Sequence, residues 1–246
     1  RAGTALLVFL AFFATQLLGF LVVGIIAGVY AGLSGVDVKD PEAIRKTIEP
    51  FILYSMLPVF IISGLPVLGL TRFLAADAIR DGSSTGVGWL KSTPLALVGG
   101  LLLGAFFAFG CLFLYGTLFS DMKPDAGSPI SQMASTGTLA RVLLGVMVIV
   151  VAPILEETIF RGVMLAGLTR SFGLPVSIFI CTALFVAVHI TELMRYPPGT
   201  IGIAGLALLA MWLRLKTKSL FPAIAVHAGY NGLLVSLMFL APLLQN

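Results

Sequence analysis

The sequence predicts an all-α protein, a polytopic transmembrane helical bundle of about seven spans (six to eight). Three observations carry that expectation. Only 11% of the 246 residues are charged and 59% are hydrophobic, whereas a soluble domain carries roughly 25% charged residues. Mean hydropathy is +1.07. Apolar runs near the ~20 residues needed to cross a ~30 Å hydrocarbon layer recur along the chain, separated by polar, turn-prone segments. The net charge of +4 comes without a clustered basic run, which fits attraction to anionic lipid and topology rather than nucleic acid.

Taken in order, the first span covers residues 4–33, long enough to require tilt or a break at a glycine, and reads as a span rather than a cleavable signal. Gly32-Leu33-Ser34-Gly35 at its end spells a GxSG, yet its place beside a charged loop makes it a helix terminator. Asp40-Pro41-Glu42 suits the start of a short surface helix with Pro in its first position. The second span, 49–70, holds Pro50 at a plausible start, and Pro58 and Pro66 where a kink or break is expected. A loop follows over 72–94, its 81–86 stretch giving no sign of phosphate binding.

The third span is 95–119, and 120–137 is polar. The fourth, 138–170, ends at Gly173, with Pro175 restarting the chain as the fifth span, 175–189. Residues 192–199 form a loop, 200–215 the sixth span, 216–219 a basic link and 219–244 the seventh. Lysines and arginines in the connections favour an N-terminus inside, Arg214 counting among the inner cations. Glycines in spans one, three and six suit close helix packing. Trp89, Tyr196 and Trp212 sit near span ends as interfacial anchors. Cys111 and Cys181, without CxxC spacing or a neighbouring histidine, read as small core residues. The chain reads as one transmembrane domain, 1–246.

Charge inside such a chain is retained mainly where it pairs, lines a wet cavity or does chemistry. Glu156-Glu157-Thr158-Ile159-Phe160-Arg161 puts three charges into six residues of the fourth span. Four-residue spacing sets Glu157 and Arg161 on one helix face in the favourable order, while Glu156 points about 100° away without a partner. The two histidines, His189 and His227, also lie in apolar runs, and Asn231 shares a helix face with His227. Counted from Arg170, Pro175 and Lys218, the ends of their spans on one side of an alternating topology, Glu156, His189, His227 and Asn231 fall roughly 13 to 21 Å below that surface. A common stratum is expected of a site. The same residues also suit polar glue between helices, or a proton relay in a transporter.

Glu-Glu-x-x-x-Arg at 156–161, Phe-x-x-x-His at 185–189 and His-x-x-x-Asn at 227–231, in this order, resemble the CPBP family of CAAX proteases and bacteriocin-processing enzymes, also called the ABI family. The run from Trp212 through His227 resembles that family's approach to its last motif. The resemblance spans a catalytic core of about 140–235 and implies a glutamate-dependent intramembrane endopeptidase without a cofactor. It makes Glu156 the general base that activates water, with His189 holding and polarising that water. His227 and Asn231 become oxyanion donors, and Glu157 and Arg161 the supporting pair. A mechanistic alternative is an open zinc site on Glu156, His189 and His227. A functional alternative is a non-proteolytic scaffold or bacteriocin-immunity-type factor. Expected partners are membrane lipids and a peptide or membrane-protein substrate, including lipidated C-termini. The expected location is the cell membrane of a prokaryote. Glu192 reads as a solvated loop charge rather than a brace for His189.

Overall fold

The computed structural model describes residues 2–37, 39–122 and 137–240. Within them the chain forms eight α-helices and no strand. They are α1 (Ala2–Leu33), α2 (Pro41–Leu74), α3 (Pro94–Leu118), α4 (Thr138–Phe172), α5 (Leu174–Ala187), α6 (Ile190–Arg195), α7 (Gly199–Thr217) and α8 (Phe221–Leu240). Six of them, α1, α2, α3, α4, α7 and α8, are long and apolar enough to cross a membrane. The polar segment before α4 and the chain beyond Leu240 lie, for the most part, outside the described residues.

Helix α5 has 14 residues, about 21 Å, which is short of a ~30 Å hydrocarbon layer. The expected fifth span therefore ends at Ala187, and His189 sits in the turn before α6. Such a turn is tolerated at depth only where protein or a cavity surrounds it.

Helix α2 differs from expectation in the other direction. Its start is as read, with the Asp40 carboxylate accepting from the Glu42 and Ala43 amides and Pro41 in the first turn. It then runs unbroken through Pro50, Pro58 and Pro66 to Leu74. Pro50 is not a helix start. In lipid a broken helix exposes several backbone groups, whereas each proline forfeits only one bond, so continuing is cheaper. At 34 residues, about 51 Å, the helix overhangs the layer, and Arg45, paired with Glu42 and Glu49, occupies the overhang.

Helix α4 carries two π-helical stretches, Met147–Val151 and Thr158–Met164. The first has a visible cause. The Pro153 ring clashes with the carbonyl four residues back, and the Ala152 amide reaches five back, to the Met147 oxygen. These stretches flank the acidic pair, a setting in which π-bulges are frequent.

Small residues set the spacing of α3 and α8. A Cβ on Gly104 would collide with the Val226 carbonyl and one on Gly229 with the Leu101 carbonyl, so the two backbones touch. In α1 the expectation holds at Gly19, which is met by the Val59 side chain, and fails at Gly24, Gly28 and Gly32, which have nothing within 4 Å. That helix also packs through Ala5, Val8 and Phe12, which join Phe160, Val163, Met164, Phe185, Ala207 and Val87 in the largest apolar cluster. Helices α1 and α2 thus cover the back of the site-bearing helix. Other readings hold: α1 stops at the GxSG with Gly35 at φ +70°, Gly173 takes φ +80° between α4 and α5, and both cysteines are buried and free.

Candidate active site

Glu157 is fully buried, and its Oε1 accepts two hydrogen bonds, from Arg161 Nη1 at 2.9 Å and from His227 Nδ1 at 2.9 Å. The Arg161 guanidinium also donates through Nη2 to the Ala207 carbonyl of α7 at 2.9 Å and lies 4.3 Å from the centre of the Phe185 ring. Carboxylate, carbonyl and aromatic face together satisfy a charge otherwise prohibitive in the core. One pair on α4 thereby ties α5, α7 and α8 together.

Glu156 faces elsewhere, as the helix rotation requires. Its Oε2 is buried with no hydrogen-bond partner and lies 3.9 Å from His227 Nε2. A carboxylate only accepts, so the His227 proton on Nδ1 is directed at Glu157 and Nε2 is the edge turned toward Glu156. Adjacent glutamates thus address opposite nitrogens of one imidazole.

Asn231, one turn beyond His227 on α8, donates from Nδ2 to the Val148 carbonyl at 2.8 Å. A side-chain amide has two N–H groups, so one remains. His189 is half-buried, its Nδ1 2.8 Å from the Phe185 carbonyl, which can only accept. The Nδ1 proton is therefore fixed and Nε2 is left as an acceptor. The His189 and His227 rings lie 5.0 Å and 5.8 Å from the same Phe185 ring.

The structure thus gathers Glu156, Glu157, Arg161 and His227 in direct contact, sets Asn231 on the same face of α8, and joins His189 through Phe185. Among the described residues, no group of three or more His, Cys, Asp or Glu is placed to hold a metal ion. Glu192 is exposed and accepts from the Thr191 hydroxyl, but it lies on helix α6 and not in the loop expected over 192–199.

Sequence reasoning passed over four participants. Phe185 stood inside a quoted motif, but nothing in its spacing announced contacts to two imidazoles and a guanidinium. Ala207 acts through its carbonyl, which no side chain reveals. Pro153 and Val148 lay inside an apolar run. Arg214, counted as an inner loop cation, is buried and donates to the carbonyls of Gly82, Ser83 and Gly86. A lone arginine one turn inside a helix end was the available signal. Trp89 is packed edge-on against Phe221 and Tyr196 against Tyr115, whereas Trp212 is half exposed with the Lys216 ammonium over its ring.

No curated protein and no solved structure matches the chain. The family described as type II CAAX prenyl endopeptidase Rce1-like matches residues 138–233. Those bounds run from the first residue of α4 into α8 and contain all six candidate site residues, leaving α1, α2 and α3 outside. Over residues 138–233, then, this multi-pass membrane chain is similar to the Rce1-like, CAAX-type protease family.

Proposed function

We propose that the chain is an intramembrane endopeptidase in which Glu156 is the general base. The observation that carries the reading is the division of labour between neighbouring carboxylates. Glu157 is held through Oε1 by Arg161 and His227, its Oε2 being buried without a partner, while Glu156 presents a buried, unpartnered Oε2 beside the free edge of His227. A buried acceptor left unsatisfied costs about 1–3 kcal/mol, a cost that a bound water or a reacting proton removes.

In this scheme Glu156 takes a proton from water, and the water oxygen attacks the scissile carbonyl carbon. His189 accepts the second water proton at Nε2. The oxyanion is stabilised by Asn231 through its remaining N–H and by His227 through Nε2. Because the Nδ1 proton of His227 is held by Glu157, Nε2 donates only in the imidazolium form, whose charge the two carboxylates face. Collapse of the tetrahedral adduct breaks the C–N bond, and Glu156 returns its proton to the departing amine. A positioned base contributes about 10²- to 10⁴-fold and an oxyanion donor about 10²- to 10³-fold. The scheme uses no metal or other cofactor. The family description directs the substrate proposal to a prenylated C-terminal peptide, and the location proposed from the sequence is the cell membrane of a prokaryote.

The test compares purified wild type and Glu156→Ala on a farnesylated CAAX peptide and its unprenylated counterpart, with and without a strong chelator. Cleavage by wild type alone, indifferent to chelation, supports the reading. Full activity of Glu156→Ala ends it. Loss of activity on chelation, restored by zinc, would transfer the role to a metal. Preference for the unprenylated peptide would remove the lipid from the substrate.

A further inference from the structure

The amide of Asn231 is aimed by a backbone carbonyl that is available only because residue 153 is proline. In the first π stretch the Ala152 amide bonds the Met147 carbonyl, five residues back. Carried one residue on, the same register assigns the Val148 carbonyl to the amide of residue 153, and Pro153 has none. The Val148 carbonyl consequently lacks a helical donor. In an apolar surround such a group must be met from elsewhere, and Asn231 Nδ2 meets it at 2.8 Å from the neighbouring helix.

We infer that Pro153 is a positioning residue, which acts through the vacated Val148 carbonyl to hold one N–H of Asn231 and turn the other toward the reacting carbonyl. The part concerning catalysis rests on the function proposed above, whereas the orientation of the amide does not. Nothing need pass through packing. The device is one hydrogen-bond donor missing from α4, and Pro153→Ala restores it. With alanine there, the turn regains an amide for the Val148 carbonyl in the π register, or relaxes to the α register in which Ala152 supplies it. Either outcome competes with Asn231.

The chain has two asparagines, Asn231 and Asn246, so selective ¹⁵N-asparagine labelling in detergent yields two side-chain amide pairs, told apart by Asn246→Asp. In Pro153→Ala the Asn231 pair is expected to move upfield in its proton dimension while the Asn246 pair stays. Unmoved Asn231 signals overturn the inference, whether or not the protein cleaves peptide. If wild type cleaves, Pro153→Ala is expected to lower kcat about tenfold, less than outright loss of a donor, with KM within about twofold. Added to Asn231→Ala, Pro153→Ala should change kcat no further, because its route no longer exists. Multiplicative losses overturn the positioning role and leave Pro153 a packing residue. Should Pro153→Ala fail to fold, Asn231→Asp, which has the same shape but no donor, replaces it: unchanged kcat there overturns the role. A wild type that cleaves nothing, with the Asn231 signals shifting as stated, would count against the protease reading alone.

Discussion

Glu157 and His227, seventy positions apart in sequence, meet through a single hydrogen bond of 2.9 Å between Oε1 and Nδ1. The same oxygen also receives Arg161. Replacing Glu157 with alanine therefore strands a buried guanidinium and releases the imidazole together. Breaking a buried pair by deleting one partner costs about 3–5 kcal/mol. Glu157→Ala should fall in that range in detergent unfolding and lose most activity. A variant as stable as wild type would mean that the ion pair is not buried in the membrane-embedded protein.

Glu156→Gln should behave in the opposite way. The Oε2 atom has no hydrogen bond to lose, only the 3.9 Å approach to His227 Nε2, so stability should fall by far less than the roughly 3–5 kcal/mol of a broken buried pair. Cleavage should fall by at least about 10²-fold as the base disappears. A large stability loss in this variant would assign Glu156 a structural role.

The histidines provide a direct view of the tautomers, since the chain has two. With ¹⁵N-histidine, both rings should show a protonated Nδ1, held by the Phe185 carbonyl at His189 and by Glu157 at His227. Glu157→Gln should perturb the His227 signals and spare His189. An Nε2-only tautomer at His227 would be incompatible with the Glu157 contact.

These contrasts also mark how far the sequence could be read. The polar motif residues were legible because charge and imidazole are costly in an apolar chain, so their presence alone is informative. The split between the two glutamates followed from helix rotation. The length of α2 was not legible, because prolines that end helices in water are outvoted in lipid by the backbone's need for partners. Arg214 was misread for a related reason: its partners are carbonyls, and every residue offers one. Phe185, Ala207 and Val148 participate by ring face or main chain, and apolar letters in an apolar run carry no mark of that. The glycines of α1 and α3 look alike in sequence, yet of these only Gly100 and Gly104 of α3 are met by a neighbouring backbone, while Gly110 is met by nothing.

That last distinction predicts a pair of outcomes within one helix. A methyl on Gly104 has to displace the Val226 carbonyl, one residue before His227. Overpacking of this kind typically costs about 1–3 kcal/mol, and the shift of α8 also carries His227 and Asn231 out of register. Gly104→Ala should thus lose stability and activity together. Gly110→Ala, with nothing within 4 Å on the same helix, should lose neither. Equal behaviour of the two variants, by thermal unfolding and peptide cleavage, would contradict the backbone contact between α3 and α8.

Arg214 closes the loop between α2 and α3. Its guanidinium donates to the Gly82 carbonyl at 3.1 Å, to Ser83 at 3.0 Å and to Gly86 at 2.8 Å, and stacks on Gly88, where φ is +81° and a side chain would collide with it. Across this clamp Val87 is packed onto Gly162, beside Arg161. Asp81 begins the loop, and hydrogen bonds from the Ser83 amide and hydroxyl hold its carboxyl below its ordinary value. A depressed carboxylate stabilises the fold above its unfolded pKa and loses that contribution as pH falls through the folded value, so the loop should loosen only in strong acid, below about pH 4. A planar fork reaches three carbonyls that a single ammonium cannot. Arg214→Lys should therefore leave at least one carbonyl unmet and Arg214→Ala all three, with stability falling in that order by about 1–3 kcal/mol per orphaned group. Limited proteolysis should cut near residues 82–88 in Arg214→Ala while wild type resists at neutral pH, and uncut Arg214→Ala under the same conditions would show that the clamp does not hold the loop.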